Sequence, residues 1–319
     1  MSILVVGSVA FDTVETPRGR RERTLGGACT YFATAASLYS QVRMVGVVGD
    51  DFDAEHLAFF ASRDIDTSGL QHAPGRTFFW SGRYGTNMDA CETLDTQLNV
   101  FATFHPEISP AYANTDYVFL ANIDPDLQIE VLKQVRSPRL TALDSMNFWM
   151  TSKRDSLTQA MSMVDLVLLN ESEIRLYSQQ HDLLRGADTI LSLGPKALII
   201  KRGEHGAMLV TRGDSVGERF FIVPAFPIED VVDPTGAGDT FAAGVIGYLA
   251  ATNDLSPQGL RRAVVHGTVV ASFTVQDFSI DRLRRLDREQ IAARYSEFRC
   301  LTYFDTLTPA ECALFTGAL

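Results

Sequence analysis

Paired cysteines are missing from this chain of 319 residues. Its four cysteines, Cys29, Cys91, Cys300 and Cys312, lie far apart and show no Cys-x-x-Cys spacing. That excludes a disulfide framework and a cysteine-ligated zinc site, and it fits a reducing cytoplasm. Basic charge is scarce too. With 28 lysines and arginines against 39 aspartates and glutamates the formal net charge is −11, which argues against nucleic acid or an anionic membrane as a partner. The densest basic stretch, Arg282, Arg284, Arg285 and Arg288, is broken by Asp281 and Asp287 and reads as a solvated helix face. No run approaches the roughly 20 apolar residues of a membrane span, and the apolar stretch Ile3–Val6 is too short for a signal-peptide core. A Walker A loop, Gly-x-x-x-x-Gly-Lys-Ser/Thr, does not occur. Nor does Gly7-Ser-Val-Ala-Phe-Asp12 supply the Gly-x-Gly-x-x-Gly that a nicotinamide-dependent dehydrogenase needs after its first strand. Internal repeats and low-complexity stretches are also absent.

What is present is ordinary globular material, 46% hydrophobic and 21% charged, enough for one sizeable core. Residues 1–319 are therefore read as one main domain with a small appendage. Short β-branched runs recur at Ile3–Val6, Val42–Val48, Tyr117–Ala121, Leu140–Asp144, Leu166–Asn170 and Ala197–Lys201. Their continuous apolar character predicts strands buried on both faces, as in a parallel sheet. Helical patterns fall between them, at Thr30–Leu38, Ala54–Ser62, Leu127–Val135, Arg154–Met163 and Asp182–Leu193. The alternation predicts a three-layer α/β/α sandwich with a mostly parallel central sheet. Farther on, a hairpin is expected around Arg212–Glu218, two long helices at Gly236–Ala250 and Leu260–Val275, and a last helix capped by Asp287 and Gln290.

One segment breaks the rhythm. Thr77–Tyr84 and Gln97–Phe104 alternate in side-chain type around a polar stretch, Gly85–Asp95, and predict a small antiparallel flap over residues 77–104. Phe78, Trp80, Gly82 and Tyr84 share one face of its first strand. These aromatics are expected to cover the main sheet or a second copy of the chain, a homodimer through the flap, in preference to stacking on a substrate.

The chemistry concentrates in Asp233-Pro-Thr-Gly-Ala-Gly-Asp239-Thr-Phe-Ala-Ala-Gly244, which leads into an apolar helix. Small residues at a helix start leave backbone N–H groups without intrahelical acceptors, and that makes an anion site. A carboxylate at Asp239 would repel a bound phosphate unless its charge had another task. That task is to take a proton from an attacking hydroxyl while Gly236, Ala237 and Gly238 stabilise charge on a transferring phosphoryl group.

These residues closely resemble the C-terminal signature of the PfkB, ribokinase-like carbohydrate kinases, and the resemblance extends over most of the chain. Gly26-Gly27 resembles the family's first signature, where a glycine pair lets substrate approach the backbone. Asp12 follows the first strand, where the family carries an aspartate that contacts sugar hydroxyls; a plain turn residue is the lesser alternative. Asn170-Glu-Ser-Glu173 is similar to the family's Asn-x-x-Glu element, which implies phosphate positioning by Asn170 and magnesium held by Glu173, directly or through water. Capping of a helix by Asn170 explains the same residues. Lys201-Arg-Gly-Glu-His-Gly206 lies where the family binds nucleotide, which implies contacts from Lys201, Gly203 and Gly206, with Thr235 of the signature; a plain hairpin turn is the alternative. Tyr31 stands where many ribokinases have asparagine, among the substrate contacts, and Asp144-Ser-Met-Asn147-Phe-Trp149 only loosely resembles an Asp-x-Asn element of sugar-acid kinases.

The resemblance implies a ribokinase-like fold with a β lid and phosphorylation of a sugar hydroxyl from ATP and Mg2+, with a monovalent cation left open. A nucleoside acceptor presents similar ribose hydroxyls, and a catalytically inactive nucleotide- or sugar-binding regulator would share the fold. Retention of Asp239 and its glycines disfavours the regulator.

Overall fold

Alternate residues of the apolar runs go to opposite sides of one sheet. Ile3, Val5, Tyr117, Phe119, Leu166 and Leu168 join the core on one face, whereas Leu4, Val6, Val118, Leu120, Val167 and Leu169 join the core on the other. Each such side chain taken fully out of water contributes about 1.5–3 kcal/mol, so both faces drive assembly. In the computed structural model, which describes residues 1–88 and 90–316, these runs become strands of a three-layer α/β/α sandwich.

In chain order the strands are β1 (Ser2–Val6), β2 (Ala10–Thr16), β3 (Gly19–Gly26), β4 (Gln41–Val48), β5 (Ile65–His72), β6 (Phe78–Tyr84) and β7 (Cys91–Gln97). They continue with β8 (Tyr117–Leu120), β9 (Leu140–Asp144), β10 (Leu166–Asn170), β11 (Ala197–Lys201), β12 (Ala207–Thr211) and β13 (Phe220–Val223). The helices are α1 (Ala28–Ala36), α2 (Ala54–Ser62), α3 (Pro125–Gln134), α4 (Asn147–Ser152), α5 (Arg154–Ser162), α6 (Glu171–Ser178) and α7 (Leu183–Ser192). Six more follow: α8 (Val216–Arg219), α9 (Ala237–Thr252), α10 (Pro257–Thr274), α11 (Asp281–Arg284), α12 (Arg288–Thr302) and α13 (Pro309–Thr316).

Among the described residues the main sheet has the order β13-β12-β11-β10-β9-β8-β1-β4-β5. It is parallel from β11 to β5, and the antiparallel hairpin β12–β13 closes one edge. Helices α1, α2, α9, α10 and α12 cover one face, and α3, α5, α6 and α7 the other. Because the central strands all run the same way, their carboxyl ends line one crest, the usual ligand edge of such sheets. The last long helix begins as expected: Asp287 Oδ1 accepts from the Gln290 amide at 2.8 Å, completing a capping box. No helix among the described residues is long and apolar enough to cross a membrane.

The flap differs from expectation. Its second strand runs over Cys91–Gln97, and the stretch expected to form it, Gln97–Phe104, instead holds a 3-10 turn at Asn99–Thr103. Every residue of β7 is exposed, so no buried face imposes an apolar alternation there. The apolar pattern at 97–104 has another purpose: Phe78 stacks on Phe101, which stacks on Phe104, anchoring the root of β6. The flap is also larger than residues 77–104. It is a four-stranded sheet of order β3-β2-β6-β7, with β2 and β6 parallel, so residues 10–26 supply half of it.

Candidate active site

The loop before α9 is tied down before it can do chemistry. Asp233 is buried; its Oδ1 accepts from the Thr235 amide at 2.9 Å and its Oδ2 from the Ser279 amide at 3.3 Å. Gly236 then takes φ +76°, a left-handed conformation open mainly to glycine, and starts the helix as its N-cap. The amide of Ala237 donates to the Pro234 carbonyl at 3.1 Å. The expected three-amide cradle thus narrows to two: among the described residues no hydrogen bond engages the amides of Gly236 or Gly238. Both stand at the positive end of a helix of 16 residues.

Asp239 sits in the first turn of that helix, half-buried. Burial, and then the charge of Asp144, push its pKa up to about 7, the range in which a carboxylate can accept and release a proton at neutral pH. Lys201, at the end of β11, places its ammonium nearby: a methyl added to Gly238 would lie 3.5 Å from Lys201 Nζ. The same Nζ is 2.5 Å from Asp144 Oδ2 at the end of β9. Burial opposes a charge on Lys201, yet Asp144, Glu173 and Asp239 raise its pKa above the usual lysine value.

Asn170 and Glu173 form a capping box at the start of α6, with Asn170 Oδ1 accepting from the Glu173 amide at 2.9 Å and Glu173 Oε2 from the Asn170 amide at 2.7 Å. The capping reading of Asn170 therefore holds. It leaves Glu173 buried, with its pKa pushed up to about 7 by desolvation against the attraction of Lys201. Among the described residues no group of three or more His, Cys, Asp or Glu could hold a metal ion. A lone buried carboxylate such as Glu173 suits contact with a hydrated magnesium ion through water and makes no protein cage.

Asp12 belongs to strand β2 of the small sheet and is not a turn residue. It is buried, and burial, with the nearby Asp233 and Asp239, pushes its pKa up to about 7 although the Gly27 amide donates to it. The glycine pair serves the chain's own packing. A methyl on Gly26 would fall 1.9 Å from Asp12 Oδ2, and one on Gly27 would fall 2.5 Å from the Ser8 carbonyl oxygen. Tyr31 of α1 lies against Gly236, and its buried hydroxyl has no hydrogen-bond partner among the described residues. The small sheet reaches the same place: the Thr235 hydroxyl lies 3.3 Å from that of Tyr84 on β6. The Gly203–His205 turn follows Lys201 directly. A methyl on Gly203 would meet nothing, whereas one on Gly206 would fall 2.0 Å from the Val223 carbonyl oxygen, so Gly206 answers to strand packing.

The fold therefore gathers Asp12, Tyr31, Thr235, Gly236, Gly238 and Asp239 on one side and Lys201 and Glu173 on the other. Three residues escaped the sequence-based set of contacts. Tyr84 was expected to cover the main sheet or a second copy of the chain, and Asp233, although inside the glycine-rich segment, carried no role. Asp144 lies 57 residues from Lys201, and only a loose resemblance to an Asp-x-Asn element and its place at a strand's carboxyl end mark it.

Similarity to known proteins follows this geometry. A profile described as pfkB family carbohydrate kinase matches residues 2–282. A protein of Thermococcus kodakarensis named cytidine kinase is 32% identical over 255 residues, covering 78% of this chain and 88% of that protein. A Bacillus subtilis ribokinase is 26% identical over 279 residues, covering 80% of this chain and 87% of that protein. The crystal structure of the Methanocaldococcus jannaschii nucleoside kinase, an archaeal member of the ribokinase family, superposes with a TM-score of 0.74 at 20% identity, over 93% of this chain and 98% of that one. The profile match, over almost the whole length of the α/β unit, places this chain in the pfkB family of carbohydrate kinases and makes it a phosphotransferase.

Proposed function

We propose that this kinase transfers the γ-phosphoryl group of ATP to a hydroxyl of a nucleoside, with Asp239 as the general base. The observation that carries the chemistry is the Asp239 carboxylate standing in the same helical turn as two unengaged amides, those of Gly236 and Gly238. The acceptor hydroxyl gives its proton to Asp239 as its oxygen bonds to the γ-phosphorus, and the bond from that phosphorus to the ADP oxygen breaks. Charge on the equatorial oxygens is met by the two amides and the helix dipole. Magnesium, when bound with the nucleotide, supplies charge neutralisation on the phosphates; Glu173 would hold it through water. Asp12 and the unpartnered Tyr31 hydroxyl offer an acceptor and a donor to the sugar ring.

The 32% identity to the Thermococcus cytidine kinase supports a nucleoside over a free sugar. Similarity to the Bacillus ribokinase favours a free pentose as the second reading. A panel of cytidine, other nucleosides, ribose and fructose, assayed with ATP, separates them. The expected result is a kcat/KM for at least one nucleoside ~10²-fold above that for ribose or fructose, the scale of discrimination that unpaired buried polar groups impose. A preference for a free sugar would reverse the assignment.

Asp239, Asp12 and Glu173 all titrate near pH 7 in the folded chain. A base must be ionised, so kcat/KM should rise between about pH 6 and pH 8 with an apparent pKa near 7 that belongs to the coupled group. Stability should run the other way. These carboxyls have folded pKa values above their unfolded ones, so their contribution is complete below about pH 4 and is lost as pH rises through 7. Thermal unfolding of the ligand-free protein at pH 6 and pH 8 checks it, with the lower Tm expected at pH 8.

A further inference from the structure

We propose that Lys201 is a catalytic residue that neutralises the phosphoryl group in flight, and that Asp144 positions it; this rests on reading the start of α9 as the phosphoryl-transfer site. Lys201 pairs with Asn170 at the end of β10, and its side chain crosses that strand's end to reach Asp144 on β9. Asp144 is itself fixed, because its Oδ1 accepts from the Ser145 amide at 2.8 Å while its Oδ2 takes the ammonium. The two side chains are 18% and 5% exposed.

An ammonium has three N–H donors, and among the described residues Asp144 is its sole hydrogen-bond partner. Two donors remain for a ligand. A buried ion pair is poor evidence for stability alone, since desolvation offsets much of the attraction. Its position beside Gly238 gives it a different use. Asp144, Glu173 and Asp239 surround one lysine, so without Lys201 the charge that gathers on the transferring phosphoryl group would face three carboxyl groups with no ammonium to offset them. During transfer the acceptor proton goes to Asp239 and the bond to ADP breaks, while Lys201 stays protonated and donates to an equatorial phosphoryl oxygen.

Lys201→Met, assayed by single-turnover phosphorylation of cytidine and by equilibrium ATP binding, is expected to slow transfer ~10²–10³-fold, the usual loss on removing one charge-stabilising donor. ATP affinity should change less than about 5-fold, because the lost contact belongs mainly to the transition state. Asp144→Asn, which leaves the ammonium in place but unanchored, should slow transfer about 10-fold at unchanged ATP affinity. The slow hydrolysis of ATP by water without any acceptor should fall in both variants in the same order. That readout separates two failures: hydrolysis that needs Lys201 in a protein that phosphorylates no nucleoside removes the proposed acceptor and keeps the role of Lys201. Overturning results are a Lys201→Met variant with wild-type rate at saturating ATP and weakened ATP binding, or, should that variant fail to fold, an Asp144→Asn variant with wild-type rate. Neither transfer nor hydrolysis by the wild type, with any acceptor, would remove both readings.

Discussion

Asp239→Asn is expected to lower single-turnover phosphorylation of the acceptor ~10²–10⁴-fold, the usual contribution of a positioned general base. The amide is nearly isosteric with the carboxylate, so α9 should keep its start. ATP affinity should hold or tighten, because the substitution removes a negative charge beside the bound phosphates. Stability gives an independent sign. Burial and Asp144 raise the pKa of Asp239 to about 7, so at pH 8 the folded wild type carries an unfavourable charge there. The variant should be the more stable protein at pH 8, and its Tm should fall less between pH 6 and pH 8. Slower catalysis with higher stability is the pattern of a strained catalytic group. Near-wild-type turnover would remove the role of base, and a lower Tm with lost ATP binding would make Asp239 structural.

Gly236→Ala should be nearly as damaging by another route. At φ +76° an alanine costs about 1–2 kcal/mol in backbone strain, and its methyl would lie 2.2 Å from Tyr31 Cδ1. Tyr31 is 1% exposed and has no room to withdraw, so the loop must shift. Together these should destabilise the fold by about 3 kcal/mol in chemical denaturation. Displacing the Gly236 amide should cost activity ~10²-fold, since errors of an ångström in a phosphoryl-binding group have effects of that size. Gly217→Ala is the control: its methyl meets nothing beyond its own helix within 4 Å, and stability should be unchanged or slightly higher. A stable, active Gly236→Ala variant would show that the tight turn is dispensable.

Much of this could be read from the chain because the physics is local. Strands such as Leu166–Asn170 are buried on both faces and so are written as unbroken apolar runs. The anion site is contiguous, since the loop and first helical turn that build it are neighbours in sequence. Residues 91–97 failed as a strand signal for the opposite reason: with both faces in solvent, nothing in the side chains betrays the backbone pairing. Strand β3 of the small sheet was hidden likewise, being mostly exposed and arginine-rich. The Lys201–Asp144 pair joins strands far apart in sequence and exists only once β9, β10 and β11 lie side by side. Gly26 was read for substrate access, but the atom that forbids a side chain there is the carboxylate oxygen of Asp12.

Transfer of labelled γ-phosphate from ATP tests the central claim most directly. Wild-type protein is incubated with γ-labelled ATP, Mg2+ and each of cytidine, other nucleosides, ribose and fructose, and the products are separated. Label is expected in a nucleoside monophosphate, in a transfer that Asp239→Asn slows ~10²–10⁴-fold. Label recovered only as inorganic phosphate or unreacted ATP, with every acceptor, would contradict it.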